Sequence, residues 1–378
     1  MIANDFLYAA DPGELGSSLT GWQNDFPGLG VLLLLPEAEK HRVPELQSFC
    51  RHRGIPVMGA IFPALLTDAG FLGKGVIALR FDQCPGWFLI EDLHAAPADG
   101  AKTIGAIVSA RLAAQPPADA DASTLFLIFD GMLPNIGTIL YGIFGQLHRQ
   151  VRYAGVNAGS ETFQPMPCLF DATRCVDNGV LGLLLPPSAG VVVEHGYPVS
   201  RSLMKATSST GNRIDKIDGR TPLEVYQEVI KAEYGVTLTR ENFYDYAVHY
   251  PFGEVEALNI LVRIPVALNA DGSLLCVGEI PDNALLRLIQ APALESSICI
   301  ERIASGLNAA PHPPLPLMTF YCAGRRMHFG ADAEQEIRSL KQETGATALY
   351  GALSLGEIDC DPELGIPQFH NAALVCVR

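Results

Sequence analysis

The segment ELQSFCRHRGIPVMGAIFPALLTDAGFLGKGVIALRF, Glu45–Phe81, decides how the chain is read. A helix-periodic piece leads to a short apolar strand closed by Gly59. A loop of small residues follows, then a second apolar strand, GVIALRF. A further strand-like run, GVLLLLP, precedes the whole. The pattern returns twice. Ile139–Pro186 carries it with Gly155, the closing strand GVLGLLLP and the preceding run TLFLIFDG. Glu336 to the end carries it with Gly351, AALVCVR and LMTFYCAG. Three units of roughly β-α-β-loop-β predict an α/β fold of layered sheets.

Between the second and third units the pattern changes. TPLEVYQEVIKAEYG predicts a helix with Thr221 as N-cap, Pro222 in the first turn, Glu224 as its N3 partner and Gly235 as the stop. NILVRIPVALNADGSLLCVGEI predicts a hairpin that turns at Asp271-Gly272, and LESSICIERIASGLN another helix. The C-terminal α/β part is therefore expected to contain a hairpin. An Ala-rich helix within 95–123 is flanked by Pro/Ala/Asp linkers, the second of which is expected to be an exposed joint.

Composition narrows the function. The 378 residues carry 26 Lys+Arg against 41 Asp+Glu, a formal net charge of −15, which argues against nucleic-acid and anionic-membrane partners. The most apolar stretch, GVLGLLLPPSAGVVVEHGY, is cut by Pro186-Pro187 and reads as two short strands, so no membrane insertion is expected. MIANDFLYAADPGE lacks the basic and apolar regions of a signal peptide. Nine scattered cysteines without a CxxC pair read as free thiols in a reducing cytoplasm.

Catalytic and metal signatures are sparse. Ser354 misses the GxSxG elbow spacing by one residue, and Cys322 has only His328 near it in sequence. No nucleophile, base and oxyanion site assemble, and the chain is read as a non-enzyme. The glycine loops Gly155–Ser160 and Gly351–Glu357 match neither a Walker loop nor a dinucleotide fingerprint, yet offer backbone amides to a ligand. The nine histidines form no zinc motif. His195, in AGVVVEHGYPVS, sits at the end of an apolar strand. It is either a strand end meeting water or a lone axial ligand, since a porphyrin asks only one imidazole of the protein. In the second case Tyr197 and Pro198 would be pocket wall and Arg201 a partner for a propionate.

YAGVNAGSE, the segment VVVEHGYPVSRSLMK…DGRTPLEVYQE, LVRIPVALNADGSLLCVGEI, CAGRR and GALSLGEI occur in the order of the motifs of FIST proteins, and the chain resembles that family of bacterial sensory domains along nearly its whole length. The resemblance implies an N-type domain over 1–236 with two βαβ-like units, and a C-type domain over 237–378 with hairpin, helix and third unit. It departs at Val156-Asn157, Glu161, Val199-Ser200 and Leu355, which replace the family's preferred residues. It implies a stand-alone cytoplasmic sensor, without a kinase segment, that signals through a partner such as a histidine kinase. One expectation is a haem b nitric oxide sensor with His195 on the iron. The alternative is a module for an amino-acid-like or carboxylate metabolite. That ligand would rest on Gly155, Asn157, Ser160 and Gly356, with Arg325 or Glu357 fixing its charged end.

Overall fold

The computed structural model describes residues 5–93, 95–114, 122–187, 190–198, 201–256, 259–309 and 313–378. The expected joint at 115–121 and Val199-Ser200 lie outside them. The first unit comprises β1 (Asp5–Ala9), α1 (Pro12–Asp25), β2 (Gly30–Pro36), α2 (Val43–Arg53), β3 (Val57–Phe62), β4 (Leu65–Thr67), β5 (Gly70–Leu72) and β6 (Val76–Phe81). The second repeats this order: β7 (Gly86–Ile90), α3 (Pro97–Ala114), β8 (Thr124–Asp130), α4 (Ile136–Leu147), β9 (Arg152–Ala158), β10 (Leu169–Asp171), β11 (Cys175–Val176) and β12 (Val180–Leu185). The third opens with β13 (Val191–Glu194) and is then interrupted. The interruption holds β14 (Met204–Thr210), β15 (Arg213–Ile217), α5 (Pro222–Tyr234), α6 (Phe243–Ala247), β16 (Phe252–Glu256), β17 (Asn259–Arg263), β18 (Pro265–Leu268), β19 (Leu274–Cys276) and β20 (Leu285–Leu288). The unit resumes with α7 (Cys299–Leu307), β21 (Leu317–Cys322), α8 (Ala323–Phe329), α9 (Ala333–Thr344), β22 (Leu349–Ser354), β23 (Glu357–Cys360), β24 (Pro367–His370) and β25 (Leu374–Val377).

The α/β fold and the threefold repeat are borne out, and the strand pairing shows what the repeat does. Each expected loop is a two-stranded hairpin, and none stays in its own sheet. The sheets run β1-β6-β2-β3-β10-β11, β7-β12-β8-β9-β23-β24 and β13-β25-β21-β22-β4-β5. The second unit's hairpin completes the first sheet, the third's completes the second, and the first's completes the third. The exchange is cyclic. Gly59, Gly155 and Gly351 occupy one equivalent place: each pairs in parallel with Leu33, Leu127 or Thr319 and, on its other side, with Phe170, Ile358 or Leu66 of the incoming hairpin. They lie inside their strands rather than closing them.

Local sequence explains the elements. Asp11 caps α1, its Oδ1 accepting from the Gly13 amide at 2.7 Å, with Pro12 in the first turn. Both α2 and α9 stop at a glycine in the left-handed region, Gly54 at φ 69° and Gly345 at φ 65°. Strands buried on both faces, such as β2, β8 and β12, read as continuous apolar runs instead of alternating ones. At the centre, Phe320 lies 5.5 Å from Phe62 and 5.9 Å from Phe126 by ring centroid, one ring from each unit.

The interruption builds its own antiparallel sheet, β17-β16-β20-β14-β15-β19-β18, with α5 packed on it. Helix α5 spans the expected residues, but the Thr221 side chain makes no capping bond. The expected hairpin forms between β18 and β19 around Asp271-Gly272, after a break that separates β17 from β18. Every sheet except the first takes strands from both sides of residue 236. All nine cysteines are free thiols.

A methyl group at Gly351 would overlap the Thr319 carbonyl, whereas one at Gly73 meets nothing within 4 Å. Gly351→Ala is expected to lower the unfolding free energy by roughly 1–3 kcal/mol and Gly73→Ala to leave it nearly unchanged, as measured by urea denaturation.

Candidate functional site

The apolar run Val191–Val193 pairs along β25, so the stretch before His195 belongs to the third unit's sheet. The chain then turns sharply. Glu194 Oε1 accepts from the amides of His195 at 3.0 Å and Gly196 at 2.9 Å, and His195 Nδ1 accepts from the Tyr197 amide at 2.9 Å. With Nδ1 accepting, the neutral ring carries its hydrogen on Nε2. Burial holds His195 below the usual imidazole range, so it is neutral at pH 7.

Beneath this turn lies a buried ion pair. Arg325 and Glu336 are both fully buried, with Nη2 to Oε1 at 2.5 Å and Nε to Oε2 at 2.8 Å. The Tyr321 hydroxyl donates to Glu336 at 2.6 Å. The remaining guanidinium hydrogens go to the carbonyls of His195 at 2.7 Å and Ala372 at 3.1 Å, and to Ser297 Oγ at 3.3 Å. All five donors are committed. Arg325 therefore shapes the site's backbone and has no hydrogen left for a ligand, which corrects the expectation that it grips a charged end.

Glu357 needs the same correction. It is fully buried, accepts from Ser354 Oγ at 2.5 Å and from the Ala373 amide at 3.2 Å, and burial raises its carboxyl to about 8. The two glycine loops do come together, because β23 pairs with β9, and the Asn157 amide donates to the Gly356 carbonyl at 2.8 Å. The pairing is structural. Gly155 lies mid-strand, where a Cβ would overlap the Leu127 carbonyl, and Ser160 Oγ is bonded to Thr162 at 2.8 Å. Asn157 is fully buried, with neither amide atom partnered. None of these loop residues lines the large cavity described next.

That cavity, about 730 Å³, opens where β13, the β23–β24 hairpin, the residues before β9 and the start of β17 converge. Of the expected residues only His195 lines it. Tyr197 is buried in a small apolar cluster with Val262 and Ile289, while Pro198 and Arg201 are exposed. The wall contains groups that sequence reading missed. His370, on β24, is 7 % exposed, its ring centroid is 6.1 Å from that of His195, and neither of its nitrogens has a partner. Burial, with His195 and Arg263 nearby, holds it well below the usual imidazole range. Asp359 is raised to about 7, by burial first and then by Glu194 and Asp361. The guanidiniums of the wall are the exposed groups: Arg149, Arg152 and Arg302, the last paired with Glu194 at 3.4 Å. Acids and neutral imidazoles thus lie inside and cations at the rim. The one sequence trace of this is EIDCDPELGIPQFH, where Glu357, Asp359 and Asp361 alternate and an imidazole closes the next strand.

A haem does not fit. With Nδ1 accepting from the Tyr197 amide, the neutral His195 carries its hydrogen on Nε2 and offers iron no lone pair, and carboxylates and arginines interrupt the valines of the wall where a macrocycle asks for apolar sides. Among the described residues no group of three or more His, Cys, Asp or Glu is placed to hold a metal ion, and no helix is long and apolar enough to cross a membrane.

The FIST N domain family matches residues 31–220 and the FIST C domain family residues 222–359. No curated protein matches the chain.

Arg325→Ala would strand the Glu336 carboxylate, and is expected to lower the unfolding free energy by about 3–5 kcal/mol. Arg302→Ala, at a largely exposed pair, is expected to cost less than about 1 kcal/mol. Chemical denaturation followed by circular dichroism measures both.

Proposed function

The chain belongs to the FIST family, which is associated with sensory signal transduction, and on that premise we propose that it is a sensor for a small zwitterionic, amino-acid-like metabolite, bound in the 730 Å³ cavity without haem. The observation that carries this reading is His370: a buried imidazole with two unpartnered nitrogens in the wall of a charged cavity. A buried polar group without a partner is costly, and a ligand that bonds it regains that cost. The charge layout sets the orientation. The ligand's ammonium group points inward to Asp359, Asp361 and the neutral imidazoles, and its carboxylate outward to the arginine rim.

The same cavity suggests how occupancy becomes a signal. Its wall takes Asn259 and Ile260 from the inserted sheet, Arg149 and Arg152 from the second unit, and Asp359 and His370 from the third. A ligand spanning these groups favours whichever arrangement holds them closest, and so biases a surface that a signalling partner, such as a histidine kinase, reads.

Calorimetric titration with a panel of amino acids tests the reading. One member of the panel is expected to bind saturably, and His370→Ala to weaken it at least tenfold. A panel without any saturable binder would overturn it. So would a haem-reconstituted protein whose Soret band disappears in His195→Ala. The pH response follows from Asp359. An ammonium group prefers the ionised carboxylate, so binding expels a proton. Affinity is therefore full above about pH 7 and falls as the pH drops below it, by up to tenfold per unit. Asp359→Asn flattens that response.

A further inference from the structure

A second cavity, of about 180 Å³, lies on the seam between the inserted sheet and the third unit. We propose that it binds a compact, uncharged aromatic molecule between phenyl and indole in size. This site is separate from the charged cavity and does not depend on the reading given for it.

Its wall is apolar in chemistry as well as composition. The polar side chains on the core side are already satisfied. Asn371 donates from Nδ2 to the His370 carbonyl at 3.0 Å and accepts at Oδ1 from the Ile264 amide at 3.0 Å. Cys322 Sγ accepts from the Ala372 amide at 3.1 Å, and burial keeps its thiol protonated. A ligand with polar groups buried on the core side would find nothing to bond there, so the cavity accepts mainly apolar surface, with a single donor such as the indole N–H turned to the mouth. The one charged lining residue is Glu161, which is exposed at the mouth.

The rim carries large apolar groups held in water. Met327 is 67 % exposed and Tyr244 58 % exposed. Beside them Phe163 adopts φ 54°, an uncommon conformation for an aromatic residue. The cavity also lies off the carboxyl ends of the parallel strands β21 and β22, reached through Cys322 and Leu355, which is where open α/β sheets receive ligands. Its volume exceeds the roughly 150 Å³ of an apolar cavity that holds benzene. The seam beside it is fastened by two imidazoles. His328 Nε2 donates to the Pro292 carbonyl at 2.9 Å, which leaves His328 Nδ1 to accept from His249 Nδ1 at 2.7 Å. Val248 and Met327, the sequence neighbours of these histidines, both line the cavity.

Indole is the probe, titrated into the whole protein by calorimetry, with thermal unfolding followed in parallel. The expected result is saturable one-to-one binding with a raised melting temperature, while benzoate, of similar size but charged, binds at least tenfold more weakly. Val266→Trp fills the cavity from a half-buried strand position and is expected to weaken indole at least tenfold. Should that variant fail to fold, Met327→Trp, at an exposed rim position, is expected to do the same. His370→Ala leaves indole affinity unchanged. No saturable binding by the wild type, or undiminished binding by the folded filling variant, overturns the proposal. Loss of indole binding in His370→Ala does so too, by placing indole in the charged cavity.

Discussion

The Arg325–Glu336 pair is the constraint on which the site hangs. One guanidinium holds the carbonyl of His195, where the chain leaves the third unit for the inserted sheet, and the hydroxyl of Ser297, just before α7, where it returns. It also holds the Ala372 carbonyl in the turn between β24 and β25. The entry and exit of the insertion are thus tied at a single point beneath the charged cavity. A buried pair of this kind adds little net stability over a well-packed apolar replacement, but its fixed fork geometry defines one arrangement of the backbone. The positions of His195 and His370 both follow, because Arg325 holds the carbonyl of His195 itself and that of Ala372, two residues from His370.

The insertion is anchored again farther out. Arg263 donates to the Phe369 carbonyl at 2.6 Å and pairs with buried Glu254 at 2.8 Å. Asn259 Nδ2 donates to Asp361 at 3.0 Å and to Gln368 at 2.9 Å. The hairpin β23–β24 is therefore held on one side by β9 of the second unit and on the other by residues of the inserted sheet. The segment that supplies Asp359 and His370 is thus touched by the second unit and by the inserted sheet as well as by its own unit.

How much of this was legible in the sequence depended on range. The repeat was visible because its periodicity and its glycines are local. Gly59, Gly155 and Gly351 recur at one place because no side chain fits there, the Phe170 ring lying against Gly59 and a neighbouring strand's carbonyl against Gly155 and Gly351. The hairpins were hidden. Their strands are two to four residues long and take their register from a different unit. His195 stood out at the end of a valine run, whereas His370 and Asp359 meet it only through a pairing set by the exchange of hairpins. Arg325 misled for a related reason: an arginine whose five hydrogens are all satisfied internally looks, in one dimension, like an arginine waiting for a ligand.

The cyclic exchange also orders the molecule in time. The β4–β5 hairpin leaves the ribosome long before its partner β22, which lies in the third unit. Until that strand arrives, the first hairpin has no sheet to join, and the outer edge of β9 stays open for want of β23. Contacts of such long sequence separation slow folding and leave unpaired edges exposed during translation. The first two units are an assembly awaiting a later part, and a cell that makes this protein has reason to keep them shielded until β22 and β23 emerge.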